Sequence, residues 1–225
     1  VGLHSYFFLV LLYFVAVNAG YVVLLILSFR EIVLYLRHSS FTDYRLMVQS
    51  ELVPPVSIIA PAYNEEASIA QSVRSLLKLN YGSYEVIVVN DGSRDRTLAT
   101  LLETFGMDRS RRLYVPVLAT KRVRGVYRSR NPEYRNLVVV DKENGGKADA
   151  LNAGINASSH DYFCAIDADS LLEDDALLKV VKPFLEDDAV VAAGGIIRIA
   201  NGCEVVNGRV ITVGLSDRWL PVFQV

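Results

Sequence analysis

Residues 56–93 read VSIIAPAYNEEASIAQSVRSLLKLNYGSYEVIVVNDGS, and this stretch decides the fold. Its first apolar run, VSIIA (56–60), is typical of a buried strand, and YEVIVV (84–89) predicts a second strand. The apolar residues between the two runs recur at helical spacing: Ile69, Val73, Leu76 and Leu77. Strands that are apolar throughout and alternate with helices predict a mostly parallel sheet covered on both faces.

The same alternation continues along the chain, which predicts an α/β domain of about 175 residues, long enough to bury such a core. Further strands are predicted at LYVPVL (113–118), LVVVD (137–141), YFCAI (162–166) and VVAA (190–193). Further helices are predicted over 98–105, 147–157 and 174–185, the last ending or kinking at Pro183. The run CEVVNGRVITV (203–213) predicts a hairpin because Asn-Gly separates alternating residues.

Residues 6–29 contain only three residues outside the apolar set, and this stretch predicts a transmembrane helix. As a helix it would reach about 36 Å, and a bilayer core is about 30 Å thick. A signal peptide would have a shorter apolar core after a basic region, and a buried core helix is rarely apolar all round at this length. The basic residues that follow the span place the rest of the chain on the cytoplasmic side of the cell membrane: Arg30, Arg37 and Arg45.

The mixed apolar and basic residues 30–50 predict a segment at the membrane surface, and Pro54-Pro55 marks a boundary. We therefore expect residues 1–50 to form the membrane helix with its interfacial segment, and residues 51–225 to form the α/β domain.

The composition excludes a disordered chain and a disulfide scaffold, because 52% of the residues are hydrophobic and there are only two cysteines. Residues 109–135 carry nine Lys or Arg and one acid, a stretch that would suit an anionic lipid or ligand or form a solvated loop. No nucleic-acid-binding motif accompanies it, so we expect no nucleic-acid partner.

The residues after each strand are candidates for ligand binding, because open α/β sheets bind ligands at the carboxyl ends of their strands. Tyr63 offers an aromatic face to a base, and Asn64 is a candidate cap for the next helix. Asp91, in Asn-Asp-Gly-Ser, fits a turn or can accept a hydrogen bond from a pyrimidine ring N–H. Lys147 follows two glycines at a helix start, where it is placed to pair with a phosphate.

Asp167 and Asp169 follow the strand 162–166, and strand residues two apart face the same way. Two carboxylates there suit Mg²⁺ or Mn²⁺ bridging a diphosphate, although two exposed acids before a helix are the simpler alternative. The three histidines are too scattered to indicate zinc. Together the strand-end residues fit a nucleoside-diphosphate ligand with a divalent cation.

Four motifs in this order and spacing closely resemble those of family-2 inverting glycosyltransferases of the membrane-bound processive type. The motifs are PAYNEE (61–66), VVNDGSRDRT (88–97), NGGKADALNAG (144–154) and AIDADS (165–170). Poly-N-acetylglucosamine, hyaluronan and cellulose synthases are similar in plan.

The resemblance implies a GT-A fold and a role for each motif residue. Tyr63 and Asp91 would hold the uracil of a UDP-sugar, and Glu65 would support the base or ribose. Lys147 would contact the diphosphate. Asp167 would face the ribose or the metal, and Asp169, the second acid of the DxD motif, would coordinate Mg²⁺ or Mn²⁺.

The family also has a later acidic motif with the general base and a Gln-x-x-Arg-Trp motif. Neither occurs here, since Arg218-Trp219 has Leu215 where Gln should stand. We therefore expect residues 51–225 to be the donor-binding half, inactive alone, with the general base lying beyond Val225.

The expected partners are a UDP-sugar, UDP-GlcNAc or UDP-glucose, a glycan or lipid acceptor, and membrane lipid, and the product is a β-linked polysaccharide. Two alternatives stay open: a lipid-linked monosaccharide transferase, or a membrane-anchored nucleotide-sugar-binding module without turnover. A nucleotidyltransferase is disfavoured, because its Gly-rich loop is absent after VSIIA.

Overall fold

A computed structural model describes residues 2–39, 53–110, 114, 116–195, 203–206, 209–212 and 214. The chain divides into two compact units, Val1–Tyr44 and Arg45–Val225. The first unit contains the helix α1 (Gly2–Ser39), which includes the predicted span 6–29. Residues 30–39 of the predicted interfacial segment continue this helix, and its residues 40–50 lie outside the described residues.

Helix α1 is the one helix in the described part of the chain that is long and apolar enough to cross a membrane, over His4–Leu34. Its large apolar side chains are exposed all round, with Leu25 at 68% and Phe29 at 70%. A helix of this kind has no polar face for water, which is the pattern of a membrane span rather than of an amphipathic surface helix.

The second unit is built on a six-stranded sheet whose spatial order is β3-β4-β5-β2-β1-β6. Its strands are β1 (Val56–Ala62), β2 (Tyr84–Asp91), β3 (Met107–Arg109), β4 (Val123–Ser129), β5 (Leu137–Lys142) and β6 (Tyr162–Ala165). Strands β5, β2, β1 and β6 are parallel, and β4 and β3 extend one edge in antiparallel fashion. The mostly parallel α/β sheet is therefore confirmed.

In the described part of this unit, four helices connect the strands or follow them: α2 (Ile69–Leu76), α3 (Thr97–Phe105), α4 (Lys147–Ala157) and α5 (Ala176–Glu186). A 3₁₀ turn, Pro132–Tyr134, precedes β5. Near the end of the chain, β7 (Glu204–Val206) and β8 (Arg209–Thr212) pair as the predicted hairpin.

The sheet is apolar on both faces because successive strand residues point to opposite sides. One face packs Ile59, Ile87 and Val140 against the small residues of α4. Helix α4 approaches so closely that a Cβ on Gly154 would overlap the Cγ2 of Ile59. This packing fixes the amino end of α4 relative to the ends of β1, β2 and β5.

The strand predicted at 113–118 is wrong for its described residues, 114 and 116–118. The N–H groups of Val117 and Leu118 donate to the Oδ1 of Asn156 on α4, at 3.1 and 2.8 Å, instead of to a neighbouring strand. The strand that pairs with β5 is β4, which the sequence pattern did not predict.

Residues 190–193 are also not a strand. The N–H of Val190 donates to the carbonyl of Asp187 in a turn, and Val191 is 92% exposed. Helix α5 continues three residues past Pro183, to Glu186, so this proline does not end the helix.

Candidate functional site

The sequence-predicted residues lie at the carboxyl ends of parallel strands, which share one edge of the sheet. Tyr63 and Glu65 follow β1, Asp91 is the last residue of β2, and Lys147 begins α4 after β5. Asp167 and Asp169 follow β6. The fold therefore brings all four motifs to this edge.

The Asp91 carboxylate is buried, only 4% exposed, and it is held from three directions. Its Oδ1 accepts from the Nζ of Lys142 at 2.5 Å and from the N–H of Gly145 at 3.0 Å. Its Oδ2 accepts from the N–H of Gly146 at 2.8 Å. A carboxylate offers about four acceptor positions, so the described residues leave one of them open, on Oδ2.

Lys142, the last residue of β5, is a site residue that the sequence analysis missed. Its side chain is completely buried and uses all three N–H donors. Besides Asp91, the Nζ contacts the Oδ1 of Asp149 at 2.6 Å and the carbonyl of Glu143 at 2.6 Å. The sequence signals this role only by placing a lysine at the end of an apolar strand run. A charged side chain at such a position is buried only if it is paired.

Asp149 lies in the first turn of α4 and connects the buried ammonium of Lys142 to the loop that contains Lys121. Its carboxylate also accepts from the N–H of Lys121, at 2.9 Å. Partial burial opposes ionisation, but the hydrogen bonds from Lys142 and Lys121 outweigh it and lower the pKa of Asp149. Asp149 is therefore an anion that ties the start of α4 to β5 and to residues 116–122.

The glycines of two motifs are required where the turns after β2 and β5 touch. Gly92 has φ +67°, and a Cβ there would lie 2.6 Å from the backbone nitrogen of Asn144. A Cβ on Gly145 would lie 2.5 Å from the Oδ1 of Asp149. A larger residue at position 92 would push the two turns apart, and one at position 145 would displace the Asp149 carboxylate.

Lys147 and Asp167 form an ion pair in which both side chains are more than half exposed. Asp167, Ala168 and Asp169 lie beyond the end of β6, in a turn where the N–H of Ser170 donates to the carbonyl of Asp167. The sequence analysis expected Asp167 and Asp169 to face the same way because strand residues two apart do so. That reason is wrong, because both residues lie in a turn after the strand. Both carboxylates are nonetheless exposed, while Ala168 between them is buried.

Within the described ranges, no group of three or more His, Cys, Asp or Glu side chains is arranged to hold a metal ion by itself. A cation at Asp167 and Asp169 would therefore take its other ligands from a bound molecule and from water. Mg²⁺ is commonly held in this way, by one or two carboxylates and the phosphates of the substrate.

The loop after β1 is fastened to the loop after β2. The N–H of Asn64 donates to the Oγ of Ser93 at 3.0 Å, and its Oδ1 accepts from the N–H of Arg94 at 2.8 Å. Asn64 therefore connects loops and does not cap α2, which begins at Ile69.

The two predicted base-binding residues on this loop differ in their surroundings. Tyr63 is 45% exposed, so its ring is accessible to a ligand. Glu65 is half-buried, and its Oε2 accepts from the Oγ of Ser68 at 2.8 Å. Its N–H donates to the Oγ1 of Thr97, also at 2.8 Å.

The basic stretch 109–135 is partly structural. Arg124 donates to the buried Asp141 at 2.8 Å, and Arg130 forms an ion pair with Asp108. This hydrogen bonding of Arg130 lowers the pKa of Asp108. These two arginines already have acidic partners within the fold.

Comparisons with known proteins give a consistent result. The family model described as Glycosyl transferase family 2 matches residues 57–210. A poly-β-1,6-N-acetyl-D-glucosamine synthase of Staphylococcus epidermidis is 30% identical over 171 residues, covering 75% of this chain and 35% of that protein. The synthase of the same name from Staphylococcus aureus strain COL is 29% identical over 159 residues, covering 70% and 32%. The chain thus spans about a third of the length of these relatives.

Solved structures are similar to part of the chain at lower identity. The fragment 1–349 of S. aureus TarS is 23% identical, with a TM-score of 0.42, covering 59% of this chain and 32% of that one. A mannosyltransferase of Pyrobaculum calidifontis, crystallised with GDP-Man and Mn²⁺, is 21% identical with a TM-score of 0.44, covering 68% and 39%.

Proposed function

Since the chain belongs to glycosyl transferase family 2, we propose that it is the donor-binding part of a UDP-sugar-dependent polysaccharide synthase. The observation that carries this proposal is the meeting of Asp91, Lys147, Asp167 and Asp169 at one edge of the parallel sheet. These groups match a base, a diphosphate and a divalent cation. The relatives are named for a polymer of N-acetylglucosamine, so UDP-GlcNAc is the proposed donor and UDP-glucose the second candidate.

The proposed base is uracil. Asp91 has one acceptor position left, on Oδ2. Uracil presents one ring N–H, whereas guanine presents two adjacent donors, its ring N–H and its amino group. The exposed ring of Tyr63 offers a stacking face, and Glu65 lies on the same loop to support the base or the ribose.

The proposed diphosphate site is the amino end of α4. The first N–H groups of a helix are free to bind an anion, and the helix dipole favours negative charge there. Lys147 adds a cation at this position, and Gly146 before it has no side chain to obstruct a ligand. Lys147 pairs with Asp167, which links the proposed phosphate and metal sites.

Asp169 and Asp167 are the proposed ligands of Mg²⁺ or Mn²⁺. Their exposed carboxylates are hard oxygen donors, and two such donors leave coordination positions for a diphosphate. When bound, the cation would offset the negative charge that develops on the departing UDP.

We also propose that α1 anchors the protein in the cell membrane, with the sheet domain on the cytoplasmic side. The length and all-round apolar surface of α1 support the span. The basic residues that follow it in the sequence support the orientation. Membrane lipid and a glycan or lipid acceptor are the other proposed partners.

The test is a calorimetric titration of UDP and GDP into the full chain, held in detergent with Mn²⁺. We expect saturable UDP binding and GDP binding at least about tenfold weaker, since guanine leaves one donor unpaired. Tyr63→Leu should weaken UDP binding about tenfold through lost stacking. Its matched control is Tyr162→Leu, at the amino end of β6, which should leave UDP binding unchanged. No UDP binding, or equal binding of GDP, would contradict the proposal.

A further inference from the structure

Asn64 has an unusual backbone conformation in the loop after β1. Its φ is +57°, and in the described part of the chain it is the one residue other than glycine with a positive φ. Most side chains disfavour this left-handed conformation, and asparagine is among the residues that adopt it most readily. The chain bends at Tyr63 and Asn64, so the direction in which the loop leaves Tyr63 depends on residue 64.

Reciprocal hydrogen bonds join the loop after β1 to the loop after β2. Three successive N–H groups of the first loop donate to side chains of the second: Asn64 to Ser93, Glu65 to Thr97 and Glu66 to Asp95. Two N–H groups of the second loop donate to side chains of the first: Arg94 to Asn64 and Arg96 to Glu66. Asn64 is the member of this set that directly follows Tyr63.

The position of Tyr63 depends on these cross-loop hydrogen bonds, because strand pairing ends before it. The last registered pair of β1 and β2 is Ala62 with Asn90, and Tyr63 and Asp91 are the next residue on each chain segment. Neighbouring strands lie about 4.8 Å apart. A base that binds Asp91 would therefore lie next to Tyr63.

We propose that Asn64 is a positioning residue for base binding, which holds the ring of Tyr63 where it stacks on a base at Asp91. This inference rests on the proposed nucleotide site. The Oδ1 of Asn64 accepts from the N–H of Arg94 at 2.8 Å, and this bond fixes the bend after Tyr63 to the loop that follows Asp91. Without the acceptor the ring would sample several orientations, and stacking would contribute little to affinity.

Two substitutions separate the side-chain acceptor of residue 64 from its backbone conformation. Asn64→Gly permits the left-handed conformation without strain but removes Oδ1. Asn64→Asp keeps an acceptor oxygen, and aspartate also adopts this conformation readily. The matched control is Asn131→Gly, an exposed asparagine between β4 and β5 whose Oδ1 also accepts an N–H, that of Glu133 at 3.0 Å.

The experiment measures the penalty of Tyr63→Leu, which is the ratio of the UDP dissociation constants with leucine and with tyrosine at residue 63. Calorimetry on the full chain, in detergent with Mn²⁺, gives this ratio in the wild type, Asn64→Gly, Asn64→Asp and Asn131→Gly. Thermal melting confirms that each protein is folded. The added charge of Asn64→Asp acts on both members of the ratio and cancels.

The penalty should be about tenfold in the wild type, in Asn64→Asp and in Asn131→Gly. In Asn64→Gly it should fall below about threefold, because residues that act through one another are not additive. A purely structural role of Asn64 would lower the melting temperature or weaken UDP binding, but it would leave the penalty of Tyr63→Leu unchanged.

A penalty that stays at about tenfold in Asn64→Gly would overturn the inference. A reduced penalty in Asn64→Asp would overturn it as well, because the acceptor oxygen would then not be the cause. If Asn64→Gly does not fold, Ser93→Ala removes the other cross-loop hydrogen bond of residue 64, and the same fall in the penalty is expected and the same constancy would overturn the inference.

The outcomes also distinguish this inference from the proposed function. If UDP fails to bind the wild type, or Tyr63→Leu has no effect there, the proposed base site fails and the inference fails with it. If Tyr63→Leu weakens UDP binding in the wild type and by the same factor in Asn64→Gly, only the inference fails.

Discussion

Lys147 is the exposed cation at the start of α4, and its partner Asp167 is an exposed carboxylate. An exposed pair of this kind contributes little to folding stability. The role that we propose for Lys147 is in binding, because a diphosphate would bring more negative charge to it than a single carboxylate does. Lys142 differs, since its burial commits it to the internal carboxylates.

Lys147→Met should therefore weaken UDP binding about tenfold while leaving uridine binding unchanged, because uridine has no phosphate to lose. The control is Lys179→Met on α5, another lysine paired with carboxylates, which should leave both ligands unaffected. The measurement is calorimetry with each ligand. If Lys147→Met weakened the binding of UDP and of uridine equally, Lys147 would act on the base or on folding rather than on the diphosphate.

At the residue scale, the sequence predicted where the motif residues lie in the fold, while their proposed roles stay predictions. Asp91, Lys147 and Asp167 follow predicted strands and do lie at one edge of the sheet. Lys142 was missed because Asp91, the site carboxylate that it binds, is 51 residues away in the sequence. A lysine gives no local pattern that distinguishes a buried ammonium from an exposed one.

Helix α4 connects the core to the site, since its amino end carries Lys147 and its middle packs on β1. Its position depends on small residues, Ala150, Ala153 and Gly154. The polar side of the same helix holds residues 116–122 through Asn156 and Asp149. Strands β1, β2 and β5 were predictable from their apolar runs, because α4 packs on them through small apolar residues. The strand predicted at 113–118 is wrong for the described residues 114 and 116–118, because the N–H groups of Val117 and Leu118 bind a side chain of α4.

Gly154→Ala tests this packing against helix propensity. Alanine alone would stabilise a helix by up to about 1 kcal/mol, but the added Cβ would overlap Ile59. We expect a net loss of about 1–3 kcal/mol in the free energy of unfolding, because overpacking dominates in a dense core. The control Gly194→Ala has no atom near the new Cβ and should change it by less than about 0.5 kcal/mol. Stabilisation by Gly154→Ala in urea unfolding would refute the packing argument.

At the scale of the whole molecule, the chain combines an apolar helix with a domain of ordinary globular character. The sheet domain depends on ionised carboxylates that hold its turns, Asp149 among them. Because the pKa of Asp149 is lowered in the folded state, its contribution is fully present above its unfolded pKa of about 3.9. The contribution is lost as the pH falls through the lower folded value.

Below about pH 4, the free energy of unfolding should therefore fall more steeply in the wild type than in Asp149→Asn, which has no carboxyl to protonate there. Urea unfolding at a series of pH values from about 6 downwards gives this slope, because ordinary carboxyl groups, with pKa values of about 4, are ionised at about pH 6. Parallel curves for the two proteins would contradict the assigned role of Asp149.

If α1 spans the membrane, the chain should stay with the membrane fraction when peripheral proteins are removed. After alkaline carbonate treatment of membranes, the full chain should stay in the membrane pellet, because α1 holds about 30 Å of apolar helix in the bilayer. A chain that begins at residue 40 should be recovered in the supernatant. Release of the full chain by carbonate would show that α1 lies on the surface or is not inserted.

The most direct test of the central claim is whether a divalent cation and UDP bind together at Asp169. UDP is titrated into the full chain with and without Mn²⁺, and then into Asp169→Ala and its control Asp161→Ala, an exposed acid just before β6. We predict that Mn²⁺ tightens UDP binding at least about tenfold in the wild type and in the control, and that Asp169→Ala abolishes this gain. UDP binding that is indifferent to Mn²⁺, or an unchanged metal dependence in Asp169→Ala, would contradict the account.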